Sequence, residues 1–229
     1  MFRLMRLKPP NGWNAVAWEL LIVTAGVLIA LGAQEFVQGL HWKRDVGETR
    51  QALDAELSRD LAVFNFRRDL NECITARMSE LRRWAESFRT GKPLHLKHEI
   101  VNTPGFTIRT EVWDLIDNNI ASRIPLQDRL NYAGLYANMK TFRDGRLGEA
   151  EAWGEIIALQ RESSLDDTEI RTIVNAADDM VGASDALAVW DTAMKRQARE
   201  LGIVPDPTLW RTADPFMHRL KQDACKPYL

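Results

Sequence analysis

The sequence predicts an all-α protein: an N-terminal transmembrane helix that continues into a long helix, then a helical bundle with one small β-hairpin or extended loop. Three observations carry this. An apolar run, LLIVTAGVLIALGA at residues 20–33, follows a cationic start. Residues 45–89 hold no proline and one glycine, and their apolar residues recur three and four apart. Beyond a punctuated middle segment the same period returns, framed by helix start and stop signals.

The anchor comes first. The stretch free of charge, residues 20–34, is fifteen residues long, about 22 Å of helix against a hydrocarbon core of about 30 Å. It must borrow its flanks, so the span is placed at residues 15–40. Trp13 and Trp18 serve as interface anchors on one side, and Trp42, beside His41, Lys43 and Arg44, on the other. Residues 1–14 are then a cytoplasmic N-terminus and residues 41–229 a helical domain. A cleaved signal peptide is the rival, since Ala30-Leu31-Gly32 offers small residues for a cut. Against it, the helical pattern runs through the cut and Pro9-Pro10 lengthens the start. Arg3, Arg6 and Lys8 precede the span with no acid, while Lys43, Arg44 and Arg50 follow among Asp45 and Glu48. The count is nearly a draw, and the purely basic N-terminus tips it to the cytoplasm. The domain is then expected in the periplasm, off a bacterial inner membrane. Within the span Ala25, Gly32 and Gly39 recur every seven residues, with Gly26, Ala30 and Ala33 beside them. A face so bare of side chains suits close packing on another transmembrane helix, of the same chain or a partner subunit; the alternative is an idle anchor. Glu19 and Glu35, near its ends, are expected to be solvated.

Along residues 45–89, Leu53, Leu57, Leu61, Phe64, Leu70, Ile74, Met78, Leu81, Ala85 and Phe88 draw one stripe. With the anchor they predict a rod of about seventy residues, bent if anywhere at Gly39 or Gly47, that carries the domain off the bilayer. Thr90-Gly91-Lys92-Pro93 stops it. Residues 94–100 and 106–110 alternate loosely around Asn102-Thr103-Pro104-Gly105, as a small hairpin or an extended loop would. A short helix is expected at 111–118. Another opens with Pro125 at its first position and runs to Phe142, where Asp144-Gly145 breaks it, and a third spans 147–161. Ser163-Ser164 and Asp166 cap a helix from Asp167 to about Leu201, with Gly182 its weak point; Gly202, Pro205 and Pro207 stop it ahead of a terminal helix at 215–224. A single bundle of antiparallel neighbours is predicted.

Chemistry is sparse. The 30 basic and 32 acidic residues are mixed, so no one-signed face calls for nucleic acid. Cys73 and Cys225 are expected to form a disulfide that staples the tail to the first long helix, the alternative being two buried thiols. His95, His98 and Glu99 are a metal-ligand set by type; but in extended chain, residues three apart face opposite sides, so a solvated loop is preferred. Asp166-Asp167, Asp178-Asp179 and Asp185 read as helix-start and solvated-face charges, with Arg171 and Lys195 as screening partners. Trp84, Trp113, Trp153, Trp190 and Trp210 lie on apolar stripes and are expected in the core. No catalytic residue, cofactor or metal is assigned.

The run Trp18-Glu19-Leu20-Leu21-Ile22-Val23, then Gly26-Val27-Leu28-Ile29-Ala30-Leu31, with Trp42, Arg44 and Ala55-Glu56-Leu57 beyond, resembles an uncharacterised family of bacterial single-pass membrane proteins. The likeness covers residues 18–61 and is general after that. It departs at Gly32-Ala33-Gln34-Glu35, where many members carry Gln and Asn. The resemblance implies the membrane topology and no catalytic residue. The function expected is a non-enzymatic anchored interaction protein, an accessory subunit or scaffold whose partners are lipid and other transmembrane helices. The alternative is a periplasmic ligand-binding, sensor-like domain, which so short an N-terminus leaves without an output module.

Overall fold

The computed structural model describes residues 12–102, 105–209 and 215–229. Arg3, Arg6, Lys8, Thr103, Pro104 and Trp210 lie outside the described residues, as does the side chain of Trp13. Seven α-helices are present among them and no strand: α1 (Gly12–Asp69), α2 (Asn71–Ser87), α3 (Glu111–Asp114), α4 (Asn118–Ala121), α5 (Leu126–Leu159), α6 (Asp167–Leu201) and α7 (Pro215–Ala224). The chain divides into two compact units, Met1–Glu48 and Thr49–Leu229, and α1 contributes to both.

In the first unit the helix passes Gly26, Gly32 and Gly39 without interruption. Its apolar side chains are exposed along their length, from Trp18 and Leu20 to Ile29, Phe36 and Leu40.

In the second unit the predicted stripe is the buried face: Leu53, Leu57, Leu61, Phe64, Leu70, Ile74, Met78 and Leu81 are all at most 4% exposed. The continuous helix expected over 45–89 is instead two. The break falls at Leu70 and not at a glycine: its N–H turns to the carbonyl three residues back, on Arg67 (3.2 Å). Asn71 there spends its side chain on α6, donating to the Ser184 carbonyl at 2.9 Å. A short polar side chain with a better partner than its own helix marks the kink.

Helix α5 corrects the expectation in the other direction. Asp144-Gly145 does not end it; the helix runs 34 residues through Gly145, Gly148 and Gly154. Each glycine costs roughly 1 kcal/mol in a helix, but Phe142, Trp153 and Ile156 are buried on either side of them. Burying side chains that size returns about 1.5–3 kcal/mol each, so packing wins. Pro125 precedes this helix and does not sit inside it. The short helix expected at 111–118 is two single turns, the second capped by Asp117, whose carboxylate accepts the Asn119 N–H at 2.7 Å.

Helix α6 has the predicted bounds. Asp166 caps it, accepting from the Thr168 and Glu169 N–H groups while Glu169 reaches back to the Asp166 N–H. Gly202 closes it at φ +74°, a conformation that suits glycine. Residues 92–102 and 105–110 form irregular chain, and the expected hairpin is not seen among the described residues. Their backbone groups are met by side chains and by the tail: Ile100 N–H by Gln160 (2.8 Å), Arg109 N–H by Asp60, and Lys97 N–H by the Tyr228 carbonyl (2.8 Å).

Contacts fix the directions. Asp128 meets Arg50, Tyr136 meets Glu56 and Glu149 meets Arg67, so α5 runs parallel to α1. Asp191 meets Arg68, Asp178 meets Arg82 and Asp167 meets Arg89, so α6 is antiparallel to α1 and α2. The bundle therefore mixes both senses, because the long connection over 88–125 returns the chain before α5 begins. Trp84, Trp153, Ile173, Met180 and Tyr228 share one core across α2, α5, α6 and the tail.

Candidate functional site

One sequence-predicted pairing is in place. Cys73 and Cys225 stand at disulfide-bonding distance, their Cα atoms 4.7 Å apart across a separation of 152 residues. Beside them the tail is held to α2 by Arg77 and Glu80. Arg77 donates to the Ala224 and Val101 carbonyls, both at 3.0 Å, and its guanidinium lies over the Tyr228 ring at 4.3 Å and the Trp153 ring at 5.0 Å. Glu80 accepts the Tyr228 N–H at 2.6 Å. Burial lowers Arg77 to about 10, with Glu80 acting against it. In the anchor, a Cβ placed on Gly26, Gly32 or Gly39 would meet nothing within 4 Å. Ala30 and Ala33 are exposed beside them and Ala25 is half-buried. Trp18 is exposed and Trp42 half-buried.

The other sequence candidates scatter. Glu99 faces Arg161 at 3.4 Å, and His95 lies exposed in the same loop. Asp178 pairs with Arg82 and not with Arg171; Lys195 serves Asp191. Trp84 and Trp153 are buried, as expected, while Trp113 and Trp190 are half-buried.

Sequence reasoning missed a buried acidic and aromatic cluster where α1, α5 and residues 109–113 meet. Asp60 is fully buried and accepts the Arg109 N–H on both oxygens (3.1 and 3.3 Å). Burial pushes its carboxyl up to about 7; the Arg109 amide and Arg59 oppose this, and Glu56 and Glu111 reinforce it. One turn away Tyr136 donates to Glu56 (2.8 Å) and Tyr132 to Asp54, with both phenols raised by burial first and their carboxylates second. Trp113 stacks on Tyr136, centroids 5.3 Å apart. The signal was present: Asp60 lies seven residues after Leu53, on the apolar stripe.

Arg67, seven residues further, is a second missed group. It is buried against Glu149 (2.8 Å), which also takes Arg146, while Arg67 reaches Asn71 and Ser184. This is a satisfied buried network, with both charges desolvated and each partnered.

A half-enclosed cavity of about 240 Å³ opens beside the end of α1, between Phe66 and Leu70, the Pro205-Asp206-Pro207 segment and α7. A broader hollow of about 440 Å³ shares Asn65 and Pro205 with it. Apolar walls with a few charged groups at the edge are what small-molecule sites are made of. No protein-family model, curated protein or solved structure matches this chain.

Proposed function

We propose that this protein is a non-enzymatic, membrane-anchored interaction protein: an accessory subunit or scaffold of a bacterial inner-membrane complex, with its N-terminus cytoplasmic and its helical bundle periplasmic. The observation that carries the reading is the apolar helix itself. From Leu20 to Leu40 its large side chains are exposed, although the bundle beyond residue 49 buries a full core of its own. An uncovered apolar face of that length calls for lipid or another helix.

Two features support the details. The Cys73–Cys225 pair favours an oxidising compartment. Open space beyond Gly26, Gly32 and Gly39 lets a second backbone approach the anchor. The family resemblance implies the same topology. A second reading, a periplasmic ligand-binding domain, draws on the cavity beside Phe66.

The test is to extract the tagged full-length protein in mild detergent and measure the mass and composition of the particle. Stoichiometric foreign subunits are expected. A lone chain would remove the accessory role, and recovery in the soluble fraction without detergent would remove the anchor.

A further inference from the structure

The cavity at the end of α1 has three walls of different character. Phe66 on α1 gives an apolar floor, backed by the buried Ala62 four residues before it and the buried Leu70 just past the helix end. Pro205 and Pro207 give a stiff second wall: the Asp206 N–H is bonded to the Ser58 carbonyl (2.9 Å), and the Ser58 hydroxyl donates to the Val204 carbonyl (2.6 Å). The third wall is α7, which contributes His218 and Lys221, one turn apart. His218 is braced by Gln222 at 2.9 Å.

Charges of both signs stand on the rim and nothing ionic crosses the floor. Lys221 has no acid at ion-pair distance among the described residues. On the same cavity Asp206 accepts from the Thr208 N–H and hydroxyl through one oxygen and carries no ion pair to a cation among the described residues. Asp69 likewise accepts from Arg68 through a single oxygen. A simple anion would meet two carboxylates here, and a simple cation would meet Lys221. A molecule with both charges and an apolar body meets neither penalty.

We propose that this cavity binds a small zwitterion with an apolar side chain, the chemistry of a free aliphatic amino acid. Its carboxylate faces Lys221, its ammonium faces Asp69 and Asp206, and its side chain lies against Phe66, Pro205 and Pro207. About 240 Å³ accommodates a residue the size of leucine. The proposal rests on the ligand-binding reading of the bundle and is independent of the anchor.

The probe is L-leucine, titrated by calorimetry into the full chain in lipid nanodiscs, with empty nanodiscs as reference. Leucine binding is expected, with 4-methylpentanoate and isopentylamine, each lacking one charge, at least tenfold weaker. Lys221→Gln, an exposed position, should bring leucine down to the affinity of isopentylamine. Asp69→Asn should narrow the gap between leucine and 4-methylpentanoate. Circular dichroism confirms that each variant is folded. No heat with 20 mM leucine on folded wild-type protein overturns the proposal, and so does equal affinity for the three compounds or unchanged selectivity in Lys221→Gln. Membrane extraction behaviour is unaffected by any of these outcomes, so the two readings fail separately.

Discussion

Replacing Asp60 with Asn should make the bundle more stable at neutral and alkaline pH and leave it nearly unchanged in acid. Asp60 is fully buried, and its carboxyl is pushed up to about 7. In the unfolded chain an aspartate titrates near 3.9. The folded state therefore holds the proton more tightly, so the stability this group contributes is complete below about pH 4 and is lost as pH rises through 7. Three pKa units at 1.36 kcal/mol each give about 4 kcal/mol over that window, an upper figure because water penetration softens such penalties. Asn keeps the shape and the oxygen that accepts the Arg109 N–H, and carries no charge to desolvate. The variant and wild type should thus coincide near pH 4 and diverge to roughly 2–4 kcal/mol by pH 8, a shift of about 1–2 M in urea midpoint at an m-value of 2–3 kcal/mol/M. Urea unfolding of the full chain in detergent, followed by circular dichroism at four pH values, measures this. Parallel stability profiles for the two proteins would refute the reasoning, since the Asp60 proton would then be no better held in the fold than out of it.

The remaining predictions concern other groups of the bundle and the anchor. Glu149→Leu leaves Arg67 and Arg146 without their shared acid and should cost about 3–5 kcal/mol in urea unfolding, while Arg67→Met added to it should recover part of the loss. Cys73→Ala with Cys225→Ala should cost about 2–5 kcal/mol, given the 152-residue separation; a melting temperature unmoved by reducing the wild type would count against the bond. Gly145→Ala and Gly148→Ala, where a Cβ meets nothing within 4 Å, should each stabilise by about 0.5–1 kcal/mol; a destabilised pair would show that α5 does break there. Gly32→Leu should lower the association signal in a membrane two-hybrid assay without unfolding the helix, and an unchanged signal would mean the small-residue face is idle.

Much of the fold was legible because it is local. The α1–α2 stripe, the Asp166 capping box, the Gly202 stop and the terminal helix are written in residues within a turn or two of each other. The errors came where distant packing overrides local signals. Gly145 reads as a stop until Trp153 and Phe142 are seen buried on one face. Leu70 reads as a continuing helix until Asn71 is seen bonded across to Ser184. The parallel run of α5 beside α1 depends on the path of residues 88–125, whose anchors lie on α1, α5 and the tail. The cavity is less legible still, since its walls come from residues near 66, 206 and 221.

One regularity joins the groups that sequence reasoning passed over. Asp60, Arg67 and Arg77 all lie on the stripe that otherwise reads Leu53, Leu57, Leu61, Phe64, Leu70, Ile74, Met78 and Leu81. Leucines on that face suffice where another helix packs, because a helix has already satisfied its own backbone. They do not suffice where irregular chain packs, since its N–H and C=O groups arrive unpaired. Asp60 is where the Arg109 N–H arrives, and Arg77 is where the Val101 and Ala224 carbonyls arrive. Arg67 sits at the kink, bonded to Asn71, Ser184 and Glu149. Asp60 and Arg77, polar residues in the core register, thus mark places where unpaired backbone groups dock, while Arg67 marks the break between α1 and α2, where it meets side chains of α2, α5 and α6.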